Sequence, residues 1–223
     1  MIEHVIAIDG PAGSGKSSTA RGVARSLGIG HLDTGALYRA VTLAALDAEV
    51  PIEGERVVAA AEAQGVNLVW VGDEVRPQVS GVDVSKAIRS GRVTGRVSEV
   101  AALPAVREWV NRRLRAVAAE HPGGVVSEGR DIGTVVFPDA SLKIYLTATP
   151  EERARRRARE LGIEGAGEVE RLARGLAARD EADSTRSVAP LVPAKGAIHL
   201  DTTGMTLEEQ VLQVAGLARK SLE

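Results

Sequence analysis

Residues 4–18 read HVIAIDGPAGSGKSS, and this stretch decides the fold of the chain. It opens with the apolar run 5–8, which predicts a strand buried on both faces. The turn GPAGSGKS follows at residues 10–17, and a helical pattern begins near Ser18. A strand, a glycine-rich turn and a helix in this order are the context of a phosphate-binding P-loop. A chance match in a chain of this size has odds on the order of one in a hundred, so we predict that the chain binds a nucleoside triphosphate.

The residue types of the predicted P-loop suit this chemistry. Glycines let successive backbone N–H groups face phosphate oxygens, and the positive end of the helix dipole lies behind them. Lys16 can reach the β- and γ-phosphates, and the Ser17 hydroxyl is placed to coordinate Mg²⁺. The predicted triphosphate contacts are Gly10, Pro11, Ala12, Gly13, Ser14, Gly15, Lys16, Ser17 and Ser18, with Ser17 as the metal ligand.

Composition limits the classes of protein to which the chain can belong. Its 223 residues are enough for one core with smaller inserts. A net charge of −2 and an aromatic content of 2% argue against nucleic-acid binding. Cysteine is absent, which excludes disulfides and thiolate metal sites. No apolar run reaches membrane-spanning length and no signal-peptide pattern precedes the first strand. We therefore expect a cytoplasmic protein without nucleic-acid or membrane partners.

Strand and helix patterns alternate along most of the chain. Further strand patterns lie at residues 30–33, 124–128, 142–147 and 197–201, with helical segments between them. Such alternation is typical of a parallel, doubly wound sheet. We predict a single α/β domain over residues 1–223. Its fold is a P-loop three-layer fold, with a five-stranded parallel sheet and helices on both faces.

A β-rich insert interrupts this alternation at about residues 57–97. Alternating patterns at 67–71 and 74–79, separated by a Gly-Asp turn, predict an antiparallel hairpin. Residues 82–84 add a short third strand. The stretch 99–120 then predicts a long helix, which a proline restarts near its first turn.

Two motifs after predicted strands have the residue types of an anion site. DTG at residues 33–35 and GRD at 129–131 lie at strand ends, where open α/β sheets bind ligands. Arg39 lies about one helical turn beyond the first motif, within reach of an anion there. The alternative is a half-buried Tyr38 beside a solvated Arg39. In the second motif, a guanidinium fork stands beside a carboxylate acceptor, which suits a phosphate next to a base with an exocyclic amine.

Five arginines crowd residues 153–159, and a glycine-containing loop follows at 161–167. Arg153 and Arg157 are four residues apart and share one helix face. A basic segment with a flexible tip predicts a lid, at residues 151–186, that closes over phosphates. The alternative is a solvated helix whose arginines pair with neighbouring glutamates.

These motifs together resemble the bacterial cytidylate (CMP/dCMP) kinases, a group of P-loop nucleoside monophosphate kinases. The likeness covers nearly the whole chain, and the β-rich insert is also a mark of that family. The motifs are IDGPAGSGK at 8–16, DTGALYR at 33–39, EGRDIGTVVFPD at 128–139, and residues 179–193 with VAPLVP at 188–193. The resemblance implies ATP- and Mg²⁺-dependent phosphorylation of CMP and dCMP to CDP and dCDP. It also implies a protein that works as a monomer on small molecules.

The resemblance also implies a role for each motif. Residues 34–100 would be the monophosphate-binding region that contains the insert. The implied substrate contacts are Arg39 and Arg130 on the phosphate; Thr34, Ser98, Arg107 and Asp131 on cytosine; Arg179 and Asp183 on the sugar; Arg186 near the base or phosphates; and Tyr38. Lid arginines Arg153 and Arg157 would contact ATP. The implied catalytic residues are Lys16, Arg130 and Arg157.

Three other functions are weaker readings of the same sequence. A kinase of AMP, UMP or shikimate is disfavoured by the GRD motif and by the β-rich insert. A GTPase switch needs a DxxG motif soon after the second strand, but the chain has DxxG only at 201–204 and has no NKxD. A nucleotide sensor without catalysis is disfavoured by the intact Lys16 and by the arginine set.

Overall fold

The computed structural model describes residues 4–222, and a central β-sheet organises this part of the chain. The strands are β1 (Val5–Asp9), β2 (Gly30–Asp33), β3 (Asn67–Val71), β4 (Glu74–Val79), β5 (Val82–Asp83), β6 (Val125–Gly129), β7 (Leu142–Thr147) and β8 (Ile198–Asp201). The helices are α1 (Lys16–Leu27), α2 (Thr34–Asp47), α3 (Gly54–Ala63), α4 (Gly91–Thr94), α5 (Val97–Ala101), α6 (Pro104–Glu120), α7 (Pro150–Leu161), α8 (Ala166–Thr185) and α9 (Leu207–Leu222).

The parallel part of the sheet follows the order β2-β6-β1-β7-β8. These are the five strands that the sequence predicts, but β4 also pairs in parallel with β2, so the sheet within residues 4–222 has eight strands and not five. β1 lies at the centre, and all its residues are buried because its two faces pack on separate apolar clusters. Helices α1 and α9 cover one face, and α2 and α6 cover the other. The predicted three-layer α/β fold is therefore confirmed.

The β-rich insert differs from its predicted form in two respects. Its strands are not a separate small sheet, because β4 pairs in parallel with β2 at His31 and Glu74 and so extends the central sheet. The strands β3, β4 and β5 occupy only residues 67–83, within the predicted 57–97. The start of that range is helix α3, which buries Val57, Ala60 and Ala61 at helical spacing. The antiparallel hairpin and its short third strand form as predicted.

The predicted helix at 99–120 is two helices, because Pro104 interrupts it. Pro104 lacks a backbone N–H and restricts the residue before it to extended conformations. Leu103 is accordingly extended, with φ −75° and ψ 122°, and separates α5 from α6. The basic lid segment is also more helical than predicted. α7 and α8 are joined through residues 162–165, so the predicted loop at 161–167 is shorter than expected.

No helix within residues 4–222 is both long enough and apolar enough to cross a membrane.

Candidate active site

The glycine-rich turn between β1 and α1 is held tightly against the sheet. Gly10 has a φ of 147°, and a Cβ at that position would lie 2.1 Å from the carbonyl oxygen of Leu146 in β7. Only glycine fits such a contact. The Lys16 ammonium is buried and donates to the carbonyl oxygen of Pro11, at 2.6 Å. Burial lowers the pKa of Lys16, and the nearby Arg130 lowers it further. A bound phosphate would add negative charge next to this ammonium group.

The Glu128 carboxylate lies beside the Ser17 hydroxyl of the P-loop, with Asp33 on the neighbouring strand, and neither carboxylate was assigned a role from the sequence. Asp33 and Glu128 are direct neighbours at the ends of β2 and β6. Burial raises the pKa of Glu128 to about 7, with the Asp33 charge as the next cause, while the adjacent Ser17 side chain opposes the rise. The Ser17 hydroxyl and these carboxylates are the oxygen ligands that Mg²⁺ prefers. The residues present therefore fit a magnesium site next to the P-loop.

The GRD motif directly follows β6, and a buried aspartate fixes its position. Both oxygens of Asp9, the last residue of β1, accept hydrogen bonds from backbone N–H groups. The donors are Ile132 and Gly133, each at 2.8 Å. The P-loop and the GRD loop therefore start from neighbouring strands, and the Asp9 side chain joins them. Burial raises the pKa of Asp9 to about 6, although the two N–H donors oppose the rise.

Asp131, the last residue of the motif, lies between two guanidinium groups. Arg107 from α6 binds one of its oxygens, and Arg186 approaches the other at 3.4 Å. The side chains of all three residues are at most 6% exposed. The Arg107 guanidinium also lies over the Tyr38 ring, 5.5 Å from its centroid. The structure thus brings together Tyr38, Arg107, Asp131 and Arg186 in a buried polar cluster.

Three further arginines face the space between this cluster and the P-loop. Arg130 donates from Nε to Asp183, at 2.8 Å. Burial, followed by repulsion from Arg130 and Arg39, lowers the pKa of Arg179 to about 10. The Nε of Arg179 is buried and has no hydrogen-bond partner within the described chain. Positive charges packed this closely favour an anion among them.

Arg39 reaches this space from α2 and is held by the insert side. Its guanidinium donates to the carbonyl oxygen of Ile88, at 3.2 Å, and to the Thr94 hydroxyl, at 2.8 Å. Burial lowers its pKa, and nearby Arg89, Arg157 and Arg130 lower it further. Arg39 is therefore not a freely solvated side chain, which was the alternative left open by the sequence.

Four arginines of the lid have three kinds of environment. Arg153 is buried, and its guanidinium binds the backbone of Ala12 and the carboxylate of Asp180. Arg157 is more exposed and pairs with Glu160. It lies close enough to Arg39 to lower the pKa of that residue. The side chains of Arg171 and Arg174 are more than half exposed and pair with glutamates of their own helix. The solvated-helix interpretation holds for these last two.

Arg156 is a P-loop contact that the sequence analysis missed. Its guanidinium donates to the carbonyl oxygen of Ser14, at 3.3 Å, and to both the hydroxyl and the carbonyl oxygen of Thr202. It therefore ties the P-loop to the segment after β8. The crowded run of five arginines gave no signal that would single out this one.

Two residues assigned to the base are less tied to the cluster. Thr34 is buried, and its hydroxyl donates to the carbonyl oxygen of Glu128, at 2.8 Å. Ser98 is half-buried in α5, a helix that packs against α8. Both lie on elements that border the site, but within residues 4–222 neither forms a hydrogen bond with Asp131.

Known proteins resemble the chain over its whole length. The sequence model of one family, described as Cytidylate kinase, matches residues 6–220. A cytidylate kinase of Limosilactobacillus fermentum is 46% identical and aligns with 100% of this chain and 99% of that protein. One of Desulfitobacterium hafniense is 47% identical, over 98% and 94%. A bifunctional pantoate ligase/cytidylate kinase of Synechococcus is 46% identical over 98% of this chain, which covers 47% of that longer protein.

Proposed function

Because the chain belongs to the cytidylate kinase family, we propose that it transfers the γ-phosphoryl group of ATP to CMP and dCMP. The products are ADP and CDP or dCDP. The observation that carries this proposal is the junction of β1 and β6, where the P-loop and the GRD loop start side by side and Asp9 binds the second loop. A donor site and an acceptor site so placed allow direct transfer between two bound nucleotides.

We place the acceptor phosphate among Arg39, Arg130 and Arg179, so Arg179, which the resemblance assigned to the sugar, becomes a phosphate contact in this proposal. Each of these side chains approaches from a different element, and their mutual repulsion is relieved when an anion enters. Phosphoryl transfer spreads charge over the transferred group, so its catalysis depends on positioning and neutralisation more than on a strong base. Lys16 and Arg157 meet the transferred group from the P-loop and the lid, and Arg130 meets it from the acceptor side.

The base and the sugar fit the buried cluster beyond this phosphate site. An ionised Asp131 is an acceptor only, so it suits the exocyclic amine of cytosine and not the carbonyl oxygen of uracil. Arg107 and Arg186 hold the carboxylate in place from both sides. The remaining residues that we assign to the base are Thr34, Ser98 and Tyr38. Asp183, which is bound to Arg130, offers its carboxylate to the sugar hydroxyls.

Mg²⁺ would be held by the Ser17 hydroxyl, with Glu128 and Asp33 close by. When bound, it neutralises charge on the triphosphate oxygens. The protein side of this step is to keep the Glu128 carboxylate buried next to Ser17. A cation there favours the ionised form of Glu128, whose pKa is raised in its absence.

Closure of the lid and of the monophosphate-binding region over the substrates would protect the reaction from water. We assign residues 34–100, which contain the insert, to the monophosphate side and residues 151–186 to the lid. Water in an open site would hydrolyse ATP without transfer to CMP. A reaction between free nucleotides needs no macromolecular partner, and we propose a monomer that works in the cytoplasm.

A coupled assay of ADP release, with a panel of nucleoside monophosphates, tests the proposed function. We expect rapid turnover with CMP and dCMP, and kcat/KM for UMP and AMP lower by at least about tenfold. The enzyme without an acceptor should release little ADP. A preference for AMP or UMP, or ADP release that is independent of the acceptor, would contradict the proposal.

A further inference from the structure

The lid and the P-loop meet at the backbone of Ala12. Asp180 in α8 accepts a hydrogen bond from the Ala12 N–H, with an N–O distance of 2.8 Å. Arg153 in α7 donates to the Ala12 carbonyl oxygen, at 3.0 Å. Both backbone polar groups of this P-loop residue therefore bind side chains from the lid.

The two lid side chains also bind each other. The same Nη1 of Arg153 donates to the second oxygen of Asp180. Their side chains are 11% and 16% exposed, so each charge is largely removed from water. A buried charge without a partner is costly. The lid also packs directly on the turn, since a Cβ at Gly13 would lie 3.1 Å from the Arg153 Cβ.

We propose that Arg153 and Asp180 form a neutral positioning pair that fixes residues 11–13 of the P-loop. In this arrangement Arg153 acts through Asp180 and is not itself a ligand of the triphosphate. Ala12 is 6% exposed, and a buried N–H needs an acceptor, which Asp180 provides. The inference rests on the proposed function, since it concerns the site that binds ATP.

The charge of Asp180 gives the pair a second role, which is electrostatic. The carboxylate lies close enough to Lys16 to raise that residue's pKa, so it lies near the expected phosphates. A bare carboxylate there would repel a triphosphate, and Arg153 cancels that charge. Loss of Arg153 alone should therefore harm ATP binding more than loss of both charges. If Arg153 contacted the phosphates directly, removal of Asp180 would give no special recovery.

Hydrogen exchange at the Ala12 amide, followed by NMR in the nucleotide-free protein, tests the contact without any enzyme activity. Asp180→Ala should speed exchange at Ala12 by at least about tenfold, because the amide loses its acceptor. Asp180→Asn retains an acceptor oxygen and should keep part of the protection. The amides of Ile6 and Val126 in the core should be unchanged, which controls for loss of the fold. Unchanged exchange at Ala12 in Asp180→Ala would overturn the proposal, whatever the substrate of the enzyme is.

Calorimetric titration of ATP in the absence of CMP tests whether Arg153 neutralises the charge of Asp180. Arg153→Met should weaken binding at least about tenfold, which corresponds to about 1.4 kcal/mol. Adding Asp180→Asn to that variant should recover at least about threefold more affinity than adding Glu181→Gln. Glu181 is the matched control, because it is the next residue of the same helix, carries the same charge and is exposed. Equal recovery from both additions, or none from Asp180→Asn, would refute the pairing and leave Arg153 as a direct ligand.

Discussion

Asp9 Oδ1 accepts a hydrogen bond from the backbone N–H of Ile132 at 2.8 Å, across 123 residues of sequence. The residue after Asp9 is the first glycine of the P-loop, and the residue before Ile132 is Asp131. The Asp9 carboxylate therefore fixes the position of the GRD loop relative to the P-loop. We regard this link as the structural basis of a site that needs two nucleotides in a fixed relative position.

Replacement of Asp9 should affect the acceptor side first. Asp9→Asn presents one N–H₂ group towards a backbone N–H, so a buried donor loses its acceptor, at a cost of about 1–3 kcal/mol. We expect the KM for CMP to rise at least about fivefold, while the KM for ATP changes less than about twofold. Steady-state kinetics with each substrate varied in turn measures both values. The control is Asp139→Asn, because Asp139 is exposed and lies a few residues after Ile132 and Gly133. An equal rise in both KM values would contradict this role.

Glu128 should make the stability of the nucleotide-free protein depend on pH. Its folded-state pKa of about 7 lies above the ordinary 4.5. The native protein therefore binds more protons than the unfolded chain between these values, and the free energy of unfolding falls as pH rises through them. Glu128→Gln removes this effect. The stability of the variant relative to the wild type should rise by about 2 kcal/mol from pH 5 to pH 8.

Urea unfolding at the two pH values, without nucleotide or Mg²⁺, measures this difference. Glu120→Gln, at the exposed end of α6, is the matched control and should show little dependence of this kind. If the relative stability of Glu128→Gln is the same at pH 5 and pH 8, Glu128 is ionised throughout and its assigned environment is wrong.

The arginines of the site should divide by substrate. Arg39→Ala and Arg130→Ala should raise the KM for CMP, because both side chains border the acceptor space. Arg157→Ala should act on kcat or on the KM for ATP, because it lies on the lid. Each loss of a charged contact with phosphate should cost about 2–4 kcal/mol in kcat/KM for the affected substrate.

Kinetics with each substrate varied in turn separates these effects. Arg174→Ala is a suitable control, since its exposed guanidinium pairs only with Glu170 of the same helix within the described residues. Similar increases in the KM for CMP in all three site variants would remove the basis for the division.

Local patterns predicted the framework of the fold. The apolar run of β1 and the strand at 142–147 are found as expected, because buried parallel strands leave a short continuous signal. Thr206 and Glu209 exchange hydrogen bonds at the start of α9, as their T-x-x-E spacing in the sequence predicts for a capping box. Helix α3 was missed because its small and branched apolar residues, three of them buried, were read together with the strands that follow.

The site residues that were not predicted from the sequence were missed for one physical reason. Glu128, Arg156 and Asp180 act through partners that are distant in sequence, and no local spacing reports such pairs. Asp180 belongs to a segment dense in charges of both signs. From sequence alone, an exposed charged surface cannot be told apart from a residue that binds the P-loop. By contrast, the arginine of the GRD motif was found because it directly follows a core strand.

We propose that the specificity for cytosine depends on Asp131, and replacement of this residue tests that proposal. Asp131→Asn should lower kcat/KM for CMP at least about tenfold and narrow the gap to UMP, because an amide N–H₂ can donate to the uracil oxygen. The measurement is the ratio of kcat/KM for CMP and UMP in the wild type and in the variant. A ratio that falls by at least about fivefold agrees with a base-reading carboxylate. A ratio unchanged within about twofold, with both substrates reduced alike, would mean that Asp131 only positions Arg107 and Arg186.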